Sequence, residues 1–308
     1  MTTTSKTATV KRSNKIKVTK ATVIFNILAY IFITLLAALC LLPFVMLVSG
    51  SFTAEQTIRF EGYSILPRDV TLEAYRVVFQ FPEKILRAYG VTIFITVTGT
   101  AIGLFIMAMT AFVISRKDFK YRNVLSFFLY FTTLFNGGML STYIFYIRYY
   151  NLKDNLLAII LPGMINVFYL LIMRSFVSAI PAALVESAKI DGAGEMRIFV
   201  QIILPLLKSG LATIGLFMAL NYWNDWYNAM LYIDNEKLYP LQYMLYDLQM
   251  RTQALSQIAS QAGIRVENMP SNSLKMAMAV VTTGPIILLY PFVQKYFVKG
   301  VTIGSVKG

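Results

Sequence analysis

Six stretches of this 308-residue chain contain no Asp, Glu, Lys, Arg or His, and each is about long enough, or nearly so, to cross a bilayer as a helix. They run approximately over Ala21–Ser49, Ala88–Ile114, Val124–Ile147, Leu156–Met173, Ser209–Asn224 and Met276–Gln294. With 57% hydrophobic and only 14% charged residues, the chain is too apolar for a soluble domain of this size. The first run exceeds the ~7–15 apolar residues of a signal peptide and reads as a retained span. The expectation is one all-α integral membrane domain of six helices over residues 21–308, behind a basic tail at 1–20.

Charge gives the sidedness. The tail, the loop after the second run, the long loop between the fourth and fifth runs, and the end of the chain together hold seventeen basic and four acidic residues. The other side holds eleven of each, so the whole net charge of +13 lies on one face. Cytoplasmic loops carry such an excess, which predicts both termini inside. The charges flank spans and do not form a groove-sized patch, which argues against a nucleic-acid partner.

Several chemistries are excluded by what is missing. Cys40 is alone, so no disulfide forms within the chain. There is no histidine and no Gly-Lys pair, hence no phosphate-cradling loop for ATP. No nucleophile, base and metal set can be assembled, so the chain reads as a non-enzyme without a cofactor. Proton- and voltage-coupled carriers keep ionisable groups within their spans, and these runs have none. A sodium site of carbonyls and hydroxyls stays open.

The most specific stretch is polar. Ile180-Pro181-Ala182-Ala183-Leu184-Val185-Glu186-Ser187-Ala188-Lys189-Ile190-Asp191-Gly192-Ala193 precedes Phe199, Ile203, Leu204 and Pro205. Pro181 suits a first helical turn and Gly192 a left-handed helix end. Leu184, Val185, Ala188 and Lys189 recur at helical spacing, and a second helix begins near Glu195. Spacing alone allows either an amphipathic loop lying on lipid or a helix–turn–helix foot, with small residues open to another backbone.

This stretch resembles the EAA loop of permease subunits in ATP-binding-cassette importers, here at about 174–208. Trp223-Asn224-Asp225 and the ending Gly284-Pro285-Ile286 through Pro291-Phe292-Val293-Gln294-Lys295-Tyr296-Phe297-Val298-Lys299-Gly300 resemble the carbohydrate-importer branch. The resemblance implies a type I importer permease fold in a prokaryotic plasma membrane. It also implies a second homologous permease, two cassette ATPases and an extracytoplasmic sugar-binding protein, working by alternating access with an oligosaccharide as substrate; the same architecture carrying a non-sugar solute is the alternative. Glu186, Ala188, Asp191, Gly192 and Ala193 would then couple to the ATPase. Many such loops carry proline where this chain has Ser209, which implies a slightly different approach to the fifth span and no loss of docking.

Substrate residues are less determined. Asn136-Gly137-Gly138 interrupts the third run, followed by Tyr143; Asn221, Tyr222, Trp223 and Asn224 close the fifth. Either set reads as close packing and interfacial anchoring or as a sugar path in which Asn136, Tyr143, Asn221, Trp223 and Asn224 contact the ligand. Two outer segments, Phe52–Arg87 and Ile233–Ser273, are long enough to meet a binding protein.

Overall fold

The computed structural model describes residues 19–80, 82–261 and 272–287. The basic tail before residue 19, residues 262–271 and the closing motif after residue 287 lie outside them. Regular structure among the described residues is helical, apart from one antiparallel bridge between Thr53 and Val70.

Two uninterrupted helices are long and apolar enough to cross a membrane: α1, Lys20–Ser51, and α4, Pro82–Ser115. Between them lie the short α2, Glu55–Glu61, and α3, Glu73–Val78, where the Thr71 hydroxyl accepts the Glu73 N–H at 3.2 Å. The third run is not one continuous helix. It divides into α5, Arg122–Leu134, and α6, Gly138–Ile144, which continues through a π-turn to Tyr149, and the halves are bent by 112°. The fourth divides into α7, Leu157–Met164, and α8, Val167–Ser178, bent by 49°. The foot follows as α9, Ala182–Ile190, and α10, Glu195–Ile198. A π-turn at Phe199–Ile203 and the short α11, Leu204–Leu206, then meet α12, Lys208–Trp223, at 79°.

Each break has a local cause. Gly138 sits at φ +83°, and the Asn136 side chain accepts its N–H at 2.9 Å, so the chain turns there. Ile165 and Asn166 are extended, and Asn166 caps α8 by accepting the Tyr169 N–H at 3.2 Å. Pro205 lacks the N–H that would reach Gln201 and its ring crowds that carbonyl, so the helix loosens into a π-turn before it bends. The break at Ile165–Asn166 is hidden in the sequence, because the apolar composition runs through it. The described residues therefore hold two unbroken spans, or five if each bent pair counts as one. The last helix is described over 272–287 only.

Helix α4 is the spine. Helices α12, α8 and α7 pack on it around Ile95, Met107, Ala111, Leu170, Met173 and Ile214, all buried. A Cβ at Gly99 would stand 2.5 Å from the Tyr222 ring, so only a glycine lets that tyrosine reach the Ile160 carbonyl at 2.7 Å. After α12 come α13, Tyr227–Tyr232, and α14, Leu241–Gln261. The outer segment from Ile233 is thus helical over much of its length and not a plain connection. Leu241 and Leu245 near the start of α14 bury in one cluster with Ala88 and Leu274.

Opposite ends of α4 carry opposite surroundings. At its start, Lys84 pairs with Glu236 at 3.1 Å, while nearby loops are joined by Lys153 to Asp234 at 2.9 Å. The buried Glu55 carboxylate on α2 accepts the backbone N–H groups of Asn272 and Ser273, each at 2.9 Å, at the start of the last helix. At the far end of α4, Arg116 meets Glu195 of the foot at 2.6 Å. Among the described residues, loops assigned by charge to different sides therefore lie at different ends of α4. Helix α1 stands apart: its apolar stretch is unburied, and packing begins only at Ser49.

Candidate functional site

The foot is built from a short helix closed by a glycine. Gly192 has φ +77°, its N–H donates to the Lys189 carbonyl at 3.0 Å, and the Ala193 N–H donates to the Ala188 carbonyl at 2.9 Å. This pair of bonds is a Schellman close, satisfying the last carbonyls of α9. Pro181 stands at the N-cap position, one residue ahead of the first turn.

Two attachments tie the foot to α4. The first is apolar. Ile198, Phe199, Ile203 and Leu207 are 1% exposed or less, and the Phe199 ring lies 5.8 Å from Phe105 and 5.7 Å from Phe112. The second is ionic. Arg116 binds Asp118 and reaches Glu195, while Lys189 reaches Asp118 at 3.1 Å and Glu195 at 3.0 Å. The Arg116 guanidinium holds the Asp118 carboxyl well below the usual carboxylate range. Glu195 and Asp118 raise the Lys189 amine above its ordinary value. Arg116, Asp118 and Lys189 line a cavity of about 400 Å³ together with Glu186, Val185 and Arg122.

The coupling candidates divide into two kinds. Glu186, Asp191 and Gly192 are exposed and open to a partner. Ala188 is 8% exposed and packs into the chain's own core, and Ala193 is half-buried against it. Their small size brings the foot close to its own helices, which corrects the expectation that they admit another backbone. Sequence periodicity missed Ile190, which is 87% exposed, and Met196, at 58%. The signal available was an isoleucine next to the helix-closing Asp-Gly, off the apolar face of α9.

The substrate candidates do not converge. Asn136 makes the turn before α6; a Cβ at Gly138 would meet nothing within 4 Å and one at Gly137 only the Ser141 Cβ at 3.8 Å, so neither glycine is a close packing contact within the described chain. Tyr143 is half-buried and stacks on buried Tyr232 at 5.9 Å, with Tyr146 on the same ring at 5.3 Å. Within this chain it packs on that ring. Trp223 is 7% exposed and donates from Nε1 to the Thr282 carbonyl at 3.2 Å, so it holds α12 to the last helix and does not face a ligand. Asn224 is exposed at the end of α12, bonded to the Leu220 carbonyl and to Gln242. Asn221 is exposed and donates to the Tyr169 hydroxyl at 3.2 Å, at the edge of a cavity of about 300 Å³.

Residues 91–303 match the family described as "Binding-protein-dependent transport system inner membrane component". Over 292 residues the chain is 40% identical to Protein LplC of Bacillus subtilis (strain 168), covering 94% of this chain and 97% of the relative. It is 38% identical over 285 residues to the polygalacturonan/rhamnogalacturonan transport system permease protein YtcP of the same organism, covering 92% and 99%. Among solved structures it is similar to a bacterial ABC transporter involved in the import of the acidic polysaccharide alginate. That likeness has a TM-score of 0.75 and 28% identity, over 91% of this chain and 98% of the other.

Proposed function

Because the chain belongs to the family of binding-protein-dependent transport system inner membrane components, we propose that it is one of two permease subunits of an ATP-driven oligosaccharide importer. It works with a homologous permease, two cassette ATPases that hydrolyse the ATP, and an extracytoplasmic sugar-binding protein. The relatives named for saccharides support the substrate class. Six spans over residues 21–308, the foot at about 174–208 and both termini on the cytoplasmic side of a prokaryotic plasma membrane complete the reading.

The observation that carries it is the foot. A surface with Ile190 and Met196 exposed beside Glu186 and Asp191 is a protein-docking surface, since large apolar side chains gathered off the membrane mark interaction sites. The foot is also bound to α4 through Phe199 and through the Arg116–Glu195 pair. Closure of the ATPase dimer moves the foot, the foot moves α4 and α12, and the cavity between permeases turns from one side to the other. Asn221 and Asn224 remain the candidates for the sugar path.

Reconstitution tests this reading. The full assembly in proteoliposomes should take up saccharide only with ATP, the ATPase and the binding protein. Sodium-driven uptake by this chain alone would overturn it.

A further inference from the structure

Where α4 ends, α5 begins and α8 closes, the foot leaves a gap against the bundle. The cavity of about 400 Å³ there is bordered by Ser115 at the end of α4, Arg122 at the start of α5, Ser178 at the end of α8, and Val185 and Lys189 of α9. Helix α4 is apolar enough to cross a membrane, and residues 123–147 carry no charge. The cavity therefore lies where hydrocarbon gives way to headgroups, on the end of the bundle that carries the foot. Of the foot side chains proposed to meet the ATPase, only Glu186 lines it.

The lining has an apolar part and a charged part. Phe112, Val177 and Ile203, all buried, form an apolar wall. The charged part sets four cations, Arg116, Lys117, Arg122 and Lys189, against two carboxylates, Asp118 and Glu186. Arg116 and Lys189 are engaged by Asp118 and Glu195. The side chains of Lys117 and Arg122 have no ion pair or hydrogen bond among the described residues. Arg122 is half-buried, so its five N–H donors have given up water without gaining a protein acceptor. An anion supplies what is missing, and two of its oxygens fit the guanidinium fork.

The apolar wall decides which anion. A fully hydrated ion gains nothing from Phe112, Val177 and Ile203, whereas the glycerol and first methylenes of a lipid bury against them. Helix α5 has no buried residue, and Leu125, one turn beyond Arg122 on the same side, is 38% exposed, so acyl chains can lie along it. We propose that this cavity binds the phosphodiester headgroup of an anionic phospholipid, with Arg122 and Lys117 holding the phosphate. Basic pockets between transmembrane helices on the cytoplasmic side suit such headgroups. The inference goes beyond the importer reading and takes from it only that the foot faces the cytoplasm. A lipid seated there touches both α5 and α9, and so joins the foot to the bundle beside the Arg116–Glu195 pair.

The test uses the assembly purified through a tag on the full chain and reconstituted in bilayers of equal parts phosphatidylcholine and phosphatidylglycerol. After extraction in detergent, mass spectrometry of the intact complex counts the lipids that stay bound. Phosphatidylglycerol should stay in preference. Arg122→Gln and Lys117→Gln should each lower its retention about fivefold, the factor equal to ~1 kcal/mol per cation near an anionic leaflet. Arg122→Lys should keep most of it, and Lys117 is exposed, so its variant disturbs no packing. Lys120→Gln, on the same loop but outside the cavity lining, should leave retention unchanged. An equal loss in the Lys120 variant would reduce the effect to attraction by a basic surface and overturn the site. Equal retention of phosphatidylcholine, or no bound lipid in the wild-type assembly, overturns it as well. Inorganic phosphate that stabilises the delipidated assembly to heat as far as phosphatidylglycerol does would make the ligand a free anion and overturn the lipid. Each of these readouts is independent of solute uptake, so the importer reading stands or falls on its own test.

Discussion

At the scale of single residues, backbone geometry and burial separate roles that composition leaves merged. Gly192 has open space where a Cβ would go, so its requirement is conformational: φ +77° costs an L-residue about 1–2 kcal/mol. Gly192→Val should carry more than that, since branching worsens the strain, and should lower ATPase co-purification and its stimulation by loaded binding protein. Gly192→Asn should retain most of both. Normal stimulation in the valine variant would show that the turn does not shape the docking surface. Trp223 teaches the opposite lesson. Its position after a span suggests an exposed anchor, yet it is buried and bonded to Thr282. Trp223→Phe should lower thermal stability in detergent by about 1–3 kcal/mol, by freeing a buried carbonyl and leaving a gap. Stimulation by the binding protein should be unaffected, and a loss of stimulation without a stability change would show that Trp223 acts in coupling to that protein and not in packing.

At the scale of elements, the foot acts as a lever only while both attachments hold. Arg116→Glu should set like charges together and reduce sugar transported per ATP hydrolysed severalfold, while the spans still insert. Pairing it with Glu195→Arg should restore much of the loss, and a double variant as uncoupled as the single one would rule out the ionic link. The pH dependence follows from the two shifted groups. Asp118 is depressed, so its contribution is complete above its ordinary value near 3.9 and fades as pH falls through the lowered one. Lys189 is raised, so its contribution is complete below its ordinary value near 10.4 and fades as pH rises through the higher one. Protease protection of the foot should therefore stay level between about pH 5 and 9, and a step inside that window would assign its hold to other groups. The helix–turn–helix was legible because Pro181, Asp191-Gly192 and Pro205 act locally. The ion cluster was not, because Arg116 and Glu195 are 79 residues apart and nothing in either neighbourhood specifies the other. The breaks at Asn136 and Asn166 were half legible: the first carries a Gly pair, whereas the second is a single asparagine in an apolar run.

At the scale of the molecule, the gathering of charged loops on two ends of α4 makes a topology test possible. In a Cys40→Ala background, a cysteine beside Lys120 should resist an impermeant thiol reagent in intact cells, and one beside Glu61 should react. Labelling beside Lys120 without lysis would invert or break the orientation. The outer end depends on Glu55. Glu55→Ala would leave the first N–H groups of the last helix without their carboxylate. It should cost about 1–3 kcal/mol and expose the outer face to protease before the foot. Equal protease sensitivity at both ends would show that the link is dispensable.

That link also has a history in time. Glu55 and Asn272 are 217 residues apart, and at ~5–20 residues per second a ribosome needs about 10–40 s to cover that distance. In the orientation proposed above, the carboxylate waits in water for that whole interval while later spans are made. The seam at Glu55 closes only once residue 272 has been made, and a chain stalled before it would be left with that seam open.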